Sequence, residues 1–248
     1  MTLSQRSWLV WFTLSVLLLC SSVAAAQTWT FTGSMSVERT GTGLRVTLLS
    51  NGQVLVTGGR NASGTYLAST ERYSSAIETF TPTGDMKVAR TGHTATLILN
   101  SHTPLDGQVL IVGGETADPG GALASAELYN PATGTFTFTG SMGTTRSQHT
   151  AVLLQNGKVL VLGGENTSHA SLATAEVYDP ATGFFTPTAS IMITTRREFP
   201  GATLLNDGRV LVTGGECTIR EPSPRIWTFY VVKRETSSCA VLQRLIRL

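Results

Sequence analysis

Apolar residues in this chain come in short runs of four or five, each closed by Gly or by a polar turn, and the runs recur at a nearly fixed interval. VTLLS, TATLILN, AVLLQ and ATLLN each lead into a second run: NGQVLVTGG (51–59), DGQVLIVGG (106–114), NGKVLVLGG (156–164) and DGRVLVTGG (207–215). The intervals are 55, 50 and 51 residues. Runs this short, rich in β-branched residues and hinged on Asn-Gly or Asp-Gly, predict β-hairpins, with the turn Gly taking the positive φ other residues resist.

Three of the four hairpins continue into a third run, ASTERYSS (68–75), ASAELYNP (124–131) and ATAEVYDP (173–180), two of them ending in PATG. A fourth follows as ETFTPTGDM, GTFTFTGSM or GFFTPTASI. Each repeat of about 50 residues therefore predicts four short antiparallel strands. One such sheet cannot bury both of its faces, so sheet must pack against sheet, and repetition becomes a folding requirement.

The Gly-Gly pair with downstream Tyr and Phe resembles the kelch motif, over roughly residues 28–216. The resemblance implies an all-β, kelch-like β-propeller of four-stranded antiparallel blades, three complete plus one partial, as a four-bladed ring or an incomplete propeller. The repeat positions Gly58, Gly59, Gly113, Gly114, Gly163, Gly164, Gly214 and Gly215, with Glu71, Glu127, Glu176, Tyr73, Tyr129 and Tyr178, are expected to be structural. In closed members of the family the first strand commonly completes the last blade, and TWTFTGSM (28–35), a fourth strand with no blade before it, is expected to do so. Beyond Gly215 the pattern stops, and two readings stay open: IWTFYVV (226–232) as a substitute third strand, or a truncated or frame-disturbed ending of a longer parent.

At the other end, residues 1–26 read as a cleavable export signal. Arg6 is the basic n-region, WLVWFTLSVLLLC (8–20) the apolar core, and Ala24-Ala25-Ala26 the small residues before cleavage. That core is too short for a comfortable membrane span. The expected organisation is signal (1–26), blades (27–217) and a divergent tail (218–248), in a secreted or periplasmic protein without a membrane span after cleavage. Cleavage leaves Cys217 and Cys239, which an oxidising compartment would allow to pair, although their spacing fixes nothing.

The net charge of +2, spread without a basic stripe, argues against nucleic acid as a partner. In a four-stranded meander the turns alternate between the two ends of the sheet, so the NG and PATG turns share one face. The longer loops after each Gly-Gly, and the stretches leading into Arg90, Arg146 and Arg196, share the other. Variable loops on a rigid frame usually carry binding. The candidate binding residues there are Arg60, Glu115, Glu165 and Glu216 after each Gly-Gly, with Arg90, Arg146 and Arg196.

Two readings of these charges stay open: a ring lining a polar site, or Arg–Glu braces repeated in every blade. The brace is favoured, because a catalytic residue is needed once and a brace in each repeat. His93 and His149 hold equivalent positions three residues after Arg90 and Arg146, and read as hydrogen-bonded core residues rather than metal ligands. No catalytic residue, metal or cofactor is expected. The function expected is a non-catalytic scaffold binding a protein or glycan, with self-association if the propeller is open. The alternative, implied by similarity to the repeats of galactose-oxidase-like copper enzymes, is a carbohydrate-active or oxidase-type enzyme or a degenerate remnant of one.

Overall fold

The computed structural model describes residues 30–40, 43–117, 121–189, 192 and 200–214, and the backbone alone at 230–234 and 239–242. The chain divides into two compact units, Met1–Thr32 and Gly33–Leu248. In the first, residues 30–32 are described and form no strand. The signal, Arg196, Gly215, Glu216 and Cys217 lie outside the described residues, as does the side chain of Cys239.

The second unit is built from four meandering antiparallel sheets. The first runs β1 (Arg45–Leu48), β2 (Val54–Thr57), β3 (Thr70–Ser74) and β4 (Thr79–Pro82). The second takes β5 (Thr94–Leu97) and β6 (Val109–Val112), detours through a two-stranded ribbon of β7 (Glu115–Thr116) and β8 (Gly121–Ala122), and returns as β9 (Ala126–Asn130) and β10 (Thr135–Phe138). The third is β11 (Thr150–Leu153), β12 (Val159–Leu162), β13 (Ala175–Asp179) and β14 (Phe184–Pro187). The fourth is β15 (Gly201–Leu204), β16 (Val210–Thr213), β17 (Tyr230–Arg234) and β18 (Cys239–Leu242). Among the described residues there is no helix.

Register explains the sequence pattern. In the first sheet Val46 faces Val56 and Val56 faces Glu71, while Leu48 faces Val54, Val54 faces Tyr73 and Tyr73 faces Phe80. All of these lie on one face of the sheet, and the residues between them, such as Thr47 and Leu55, lie on the other. Each seam between sheets joins the second face of one to the first face of the next. Leu49 and Leu55 pack on Val109, Ile111, Tyr129 and Phe136, with Ala95 and Leu97. Ile98, Leu110 and Leu128 pack on Val159, Val161 and Tyr178. Val152, Leu160 and Leu162 pack on Val210 and Val212. The leading strands β1, β5, β11 and β15 pack side by side in that order.

Two expectations require correction. Of TWTFTGSM, residues 28 and 29 lie outside the described residues, residues 30–35 form no strand, and the outer place in the fourth sheet is held by β18. Gly33 instead donates its N–H to Glu78 O in the turn of the first sheet, at 3.0 Å. Gly84 does the same to Gly134 O, and Gly140 to Gly183 O. The hairpin turns are also not all tight: eleven residues, 98–108, link β5 to β6, where five link β1 to β2. The six extra residues fall between the first two hairpin turns, where the interval is lengthened to 55 residues. The substitute third strand of the fourth sheet lies at Tyr230–Arg234, overlapping the C-terminal half of 226–232.

Candidate functional site: the loop face and its buried frame

The Gly-Gly pair sets the frame because nothing larger fits. Gly58 and Gly113 have φ of 59° each, and a Cβ there would stand 2.4 Å from Arg90 O and 2.5 Å from Arg146 O. The second Gly of each pair hydrogen-bonds the same carbonyls: Gly59 N donates to Arg90 O at 3.0 Å, and Gly114 N to Arg146 O at 2.8 Å. The arginine backbone is thereby tied to the preceding sheet.

Its side chain reaches into the following one. Arg90 donates to Gly113 O, Ser125 O, Ser125 Oγ and Glu127 Oε1, the last at 2.7 Å. Arg146 repeats this with Gly163 O, Thr174 O, Thr174 Oγ1 and Glu176 Oε1 (3.2 Å). Arg39 repeats it again with Gly58 O, Ser69 O, Ser69 Oγ and Glu71 Oε1 (3.3 Å). Each glutamate also accepts two backbone N–H bonds: Ser36 and Val37 to Glu71, Lys87 and Val88 to Glu127, Gly143 and Thr144 to Glu176. Burial lowers the pKa of Arg90 and Arg146 while the paired glutamate opposes the shift. Arg90 and Arg146, expected on the binding face, are therefore buried braces, because their terminal guanidinium nitrogens are spent on the carbonyl, hydroxyl and carboxylate oxygens inside the seams.

Arg39 is the brace that the sequence reading missed. Its signal was available, as Met35–Arg39, Met86–Arg90, Met142–Arg146 and Met192–Arg196 share one spacing.

His93 Nε2 lies 2.8 Å from Thr57 Oγ1, and His149 Nε2 lies 3.0 Å from Thr94 Oγ1. These distances suit a hydroxyl and its base, but all four residues are buried and neither Nδ1 has a hydrogen-bond partner to orient the ring. Burial and the surrounding arginines hold the His93 pKa well below its usual value and push His149 down to about 3. The tyrosines are also committed. Tyr73, Tyr129 and Tyr178 pack on Phe80, Phe136 and Phe185 with centroids 4.7–4.9 Å apart. Tyr129 and Tyr178 each bond a threonine of the preceding repeat, Thr83 and Thr139.

What remains on the long-loop face does not repeat. Arg60, in the loop between β2 and β3, reaches across to Glu115 Oε1 of the second sheet at 2.5 Å. It hydrogen-bonds Tyr66 Oη, and its guanidinium carbon sits 4.2 Å from that ring's centroid. Burial and the nearby Glu115 carboxylate raise the Tyr66 pKa. One repeat on, Glu165 is not at the surface as expected. It is buried, accepting from Gln148 Nε2 at 3.2 Å and lying 3.3 Å from Nδ1 of the exposed His169. Gln148 holds φ 55° where its counterpart is Gly92. The loop face thus offers one partly exposed guanidinium–phenol–carboxylate cluster and one imidazole over a buried carboxylate.

Two concavities lie among the described residues. Between the leading strands lies a cavity of about 220 Å³ lined by Arg45, Thr94, Thr96, His149, Thr150 and Pro200, among others. On the tight-turn face, the long 98–108 turn helps form a groove of about 320 Å³ with residues 49–51 and 130–132. Among the described residues, no three His, Cys, Asp or Glu side chains converge as a metal-binding set.

A family model described as the kelch motif matches residues 146–190, which span Arg146 and the whole third sheet. No curated protein matches the chain. With the same arrangement of Gly-Gly, Arg–Glu brace and Tyr–Phe pair standing in the first and second sheets, the match supports a kelch-repeat family, and the four-stranded antiparallel sheets are consistent with propeller blades.

Proposed function

We propose that this kelch-repeat chain is an exported, non-catalytic scaffold that binds a protein partner through its long-loop face, centred on Arg60, Tyr66 and Glu115. One observation carries the reading. The charged and aromatic groups that recur in each repeat are consumed in buried braces and ring pairs, whereas the Arg60 cluster is partly exposed and occurs once among the described residues. Kelch repeats commonly mediate protein interactions. A guanidinium stacked on a phenol beside a carboxylate suits a polar peptide surface, since the stack leaves donors free at its rim. Export rests on the reading of residues 1–26 and predicts a mature chain beginning at Gln27.

The test uses the mature protein recovered from the exported fraction. Immobilised wild type should retain a protein that is lost with Arg60→Glu and regained when Glu115→Arg is added. Binding to a glycan array with no protein captured would move the ligand to the carbohydrate class. Stoichiometric copper in the purified protein would replace the scaffold reading with the oxidase one.

A further inference from the structure

The first faces of the four sheets are equivalent in sequence and register but not in what covers them. Ala95, Leu97, Val109 and Tyr129 of the second sheet lie in the seam against the first sheet, and Ala151, Leu153, Val159 and Tyr178 of the third lie against the second. Ala202, Leu204 and Val210 of the fourth lie against the third. The corresponding residues of the first sheet are Val46, Leu48, Val54 and Tyr73. Leu48 is 64% exposed and Val46 61% exposed, and Val54 and Tyr73 are half-buried where Val109, Val159, Tyr129 and Tyr178 are buried.

The second faces show the opposite end of the same series. Leu55, Leu110 and Leu160 are sealed by the sheet that follows. Their equivalent in the fourth sheet, Leu211, is half-buried, and Thr203, the counterpart of the buried Thr47 and Val152, is exposed. A seam in this protein is always a second face against a first face. Among the described residues there is thus one exposed first face and one partly exposed second face, each shaped by its repeats to fit the other kind.

We infer that the first sheet's Val46–Leu48 face docks against the Thr203–Leu211 face of a second copy of this chain, extending the internal seams across a head-to-tail interface. The occupant is specified by the protein's own repeat: the surface that covers Ala95 and Leu97 inside the molecule is a second face bearing Leu49 and Leu55, and Leu211 stands in the place of Leu55. The contact is heterologous, so both faces of each copy count and neither face pairs with itself. An exposed apolar sheet face such as Val46–Leu48 marks an interaction surface.

The experiment is light scattering coupled to size exclusion over a range of concentrations, on the full mature chain and two variants. Leu48→Arg alters only the first face and Thr203→Arg only the second, both at exposed positions. The wild type should run as a dimer or longer assembly, and each variant alone should associate at least tenfold more weakly. Mixed one to one, the variants should form a dimer, because the intact second face of Leu48→Arg meets the intact first face of Thr203→Arg. That recovery also shows that both variants are folded. A monomeric wild type overturns the inference, as does a single variant that assembles like wild type or a mixture that stays monomeric.

Discussion

Arg90–Glu127 and Arg60–Glu115 use the same two residue types, and each ties one repeat to the next, yet they belong to different parts of the molecule's design. The Arg90 and Glu127 side chains are both 0% exposed, and the pair is surrounded by carbonyl and N–H groups that satisfy it. In the other pair Arg60 is 40% exposed and Glu115 18%. The first arrangement is copied at Arg39–Glu71 and Arg146–Glu176, and the second is found once among the described residues. Taking charges out of water is expensive unless every donor and acceptor is met, so the buried version is retained where it fixes a seam and is repeated wherever a seam exists. An exposed pair gains little from its own attraction, and its position is free to serve recognition.

The sharpest way to break this comparison is to remove one buried partner. Arg90→Met leaves the Glu127 carboxylate inside the seam with only its two backbone N–H donors, and strips donors from Gly113 O and Ser125. Loss of one member of such a pair costs about 3–5 kcal/mol, because the remaining charge stays buried and uncompensated. Urea unfolding monitored by circular dichroism should show a drop of this size in unfolding free energy. A loss below about 1 kcal/mol would mean that the seam does not depend on the brace.

The buried frame was largely legible in the sequence and the exposed cluster was not. Gly58–Gly59 and their copies, the Tyr–Phe pairs and the Glu positions recur within one residue of the same offset from each hairpin, and a near-constant offset is what a repeated seam produces. Arg39 escaped notice because it precedes the first hairpin, where no earlier repeat frames it, although its distance from Met35 marked it. Arg60, Tyr66 and Glu115 meet across 55 residues with no periodic signal, since Arg60 stands where later repeats have Glu. Glu165 looked like its surface counterpart Glu115. Only the fold shows that Gln148 and His169 close over it.

A second, smaller effect separates the buried frame from the surface by pH. His93 and His149 are neutral in the folded state, with pKa values driven down by burial and neighbouring arginines, that of His149 to about 3. Unfolded, each titrates near its ordinary value of about 6.5, so below that pH the unfolded chain binds protons that the folded chain refuses. Stability is therefore fully present above about pH 6.5 and declines as pH falls toward 3, at up to about 1.4 kcal/mol per pH unit for each histidine. Between pH 7.5 and 5 each should account for about 2 kcal/mol of lost unfolding free energy. His149→Gln keeps a polar group near Thr94 Oγ1 and should remove roughly half of that slope. The same pH profile in variant and wild type would exclude His149 as a source of acid sensitivity.

The smallest effect belongs to the exposed pair, and there the sign of the comparison reverses. A double-mutant cycle of Arg60→Ala and Glu115→Ala should return a coupling of only about 0.2–1 kcal/mol, the range of solvent-exposed ion pairs. Added salt should shrink it, because charges reached by water are screened over about 10 Å at 0.1 M. The stacking of Arg60 on Tyr66 is a separate contribution of about 0.5–1 kcal/mol, so Arg60→Ala should cost somewhat more than the coupling alone, and Tyr66→Leu should recover that difference. A coupling above about 2 kcal/mol that persists in high salt would place Arg60–Glu115 among the braces, as a fourth one. A weak, salt-sensitive coupling in variants that still lose their protein partner would instead separate stability from recognition: the same ion pair, lifted out of the core, then serves binding because the fold does not depend on it.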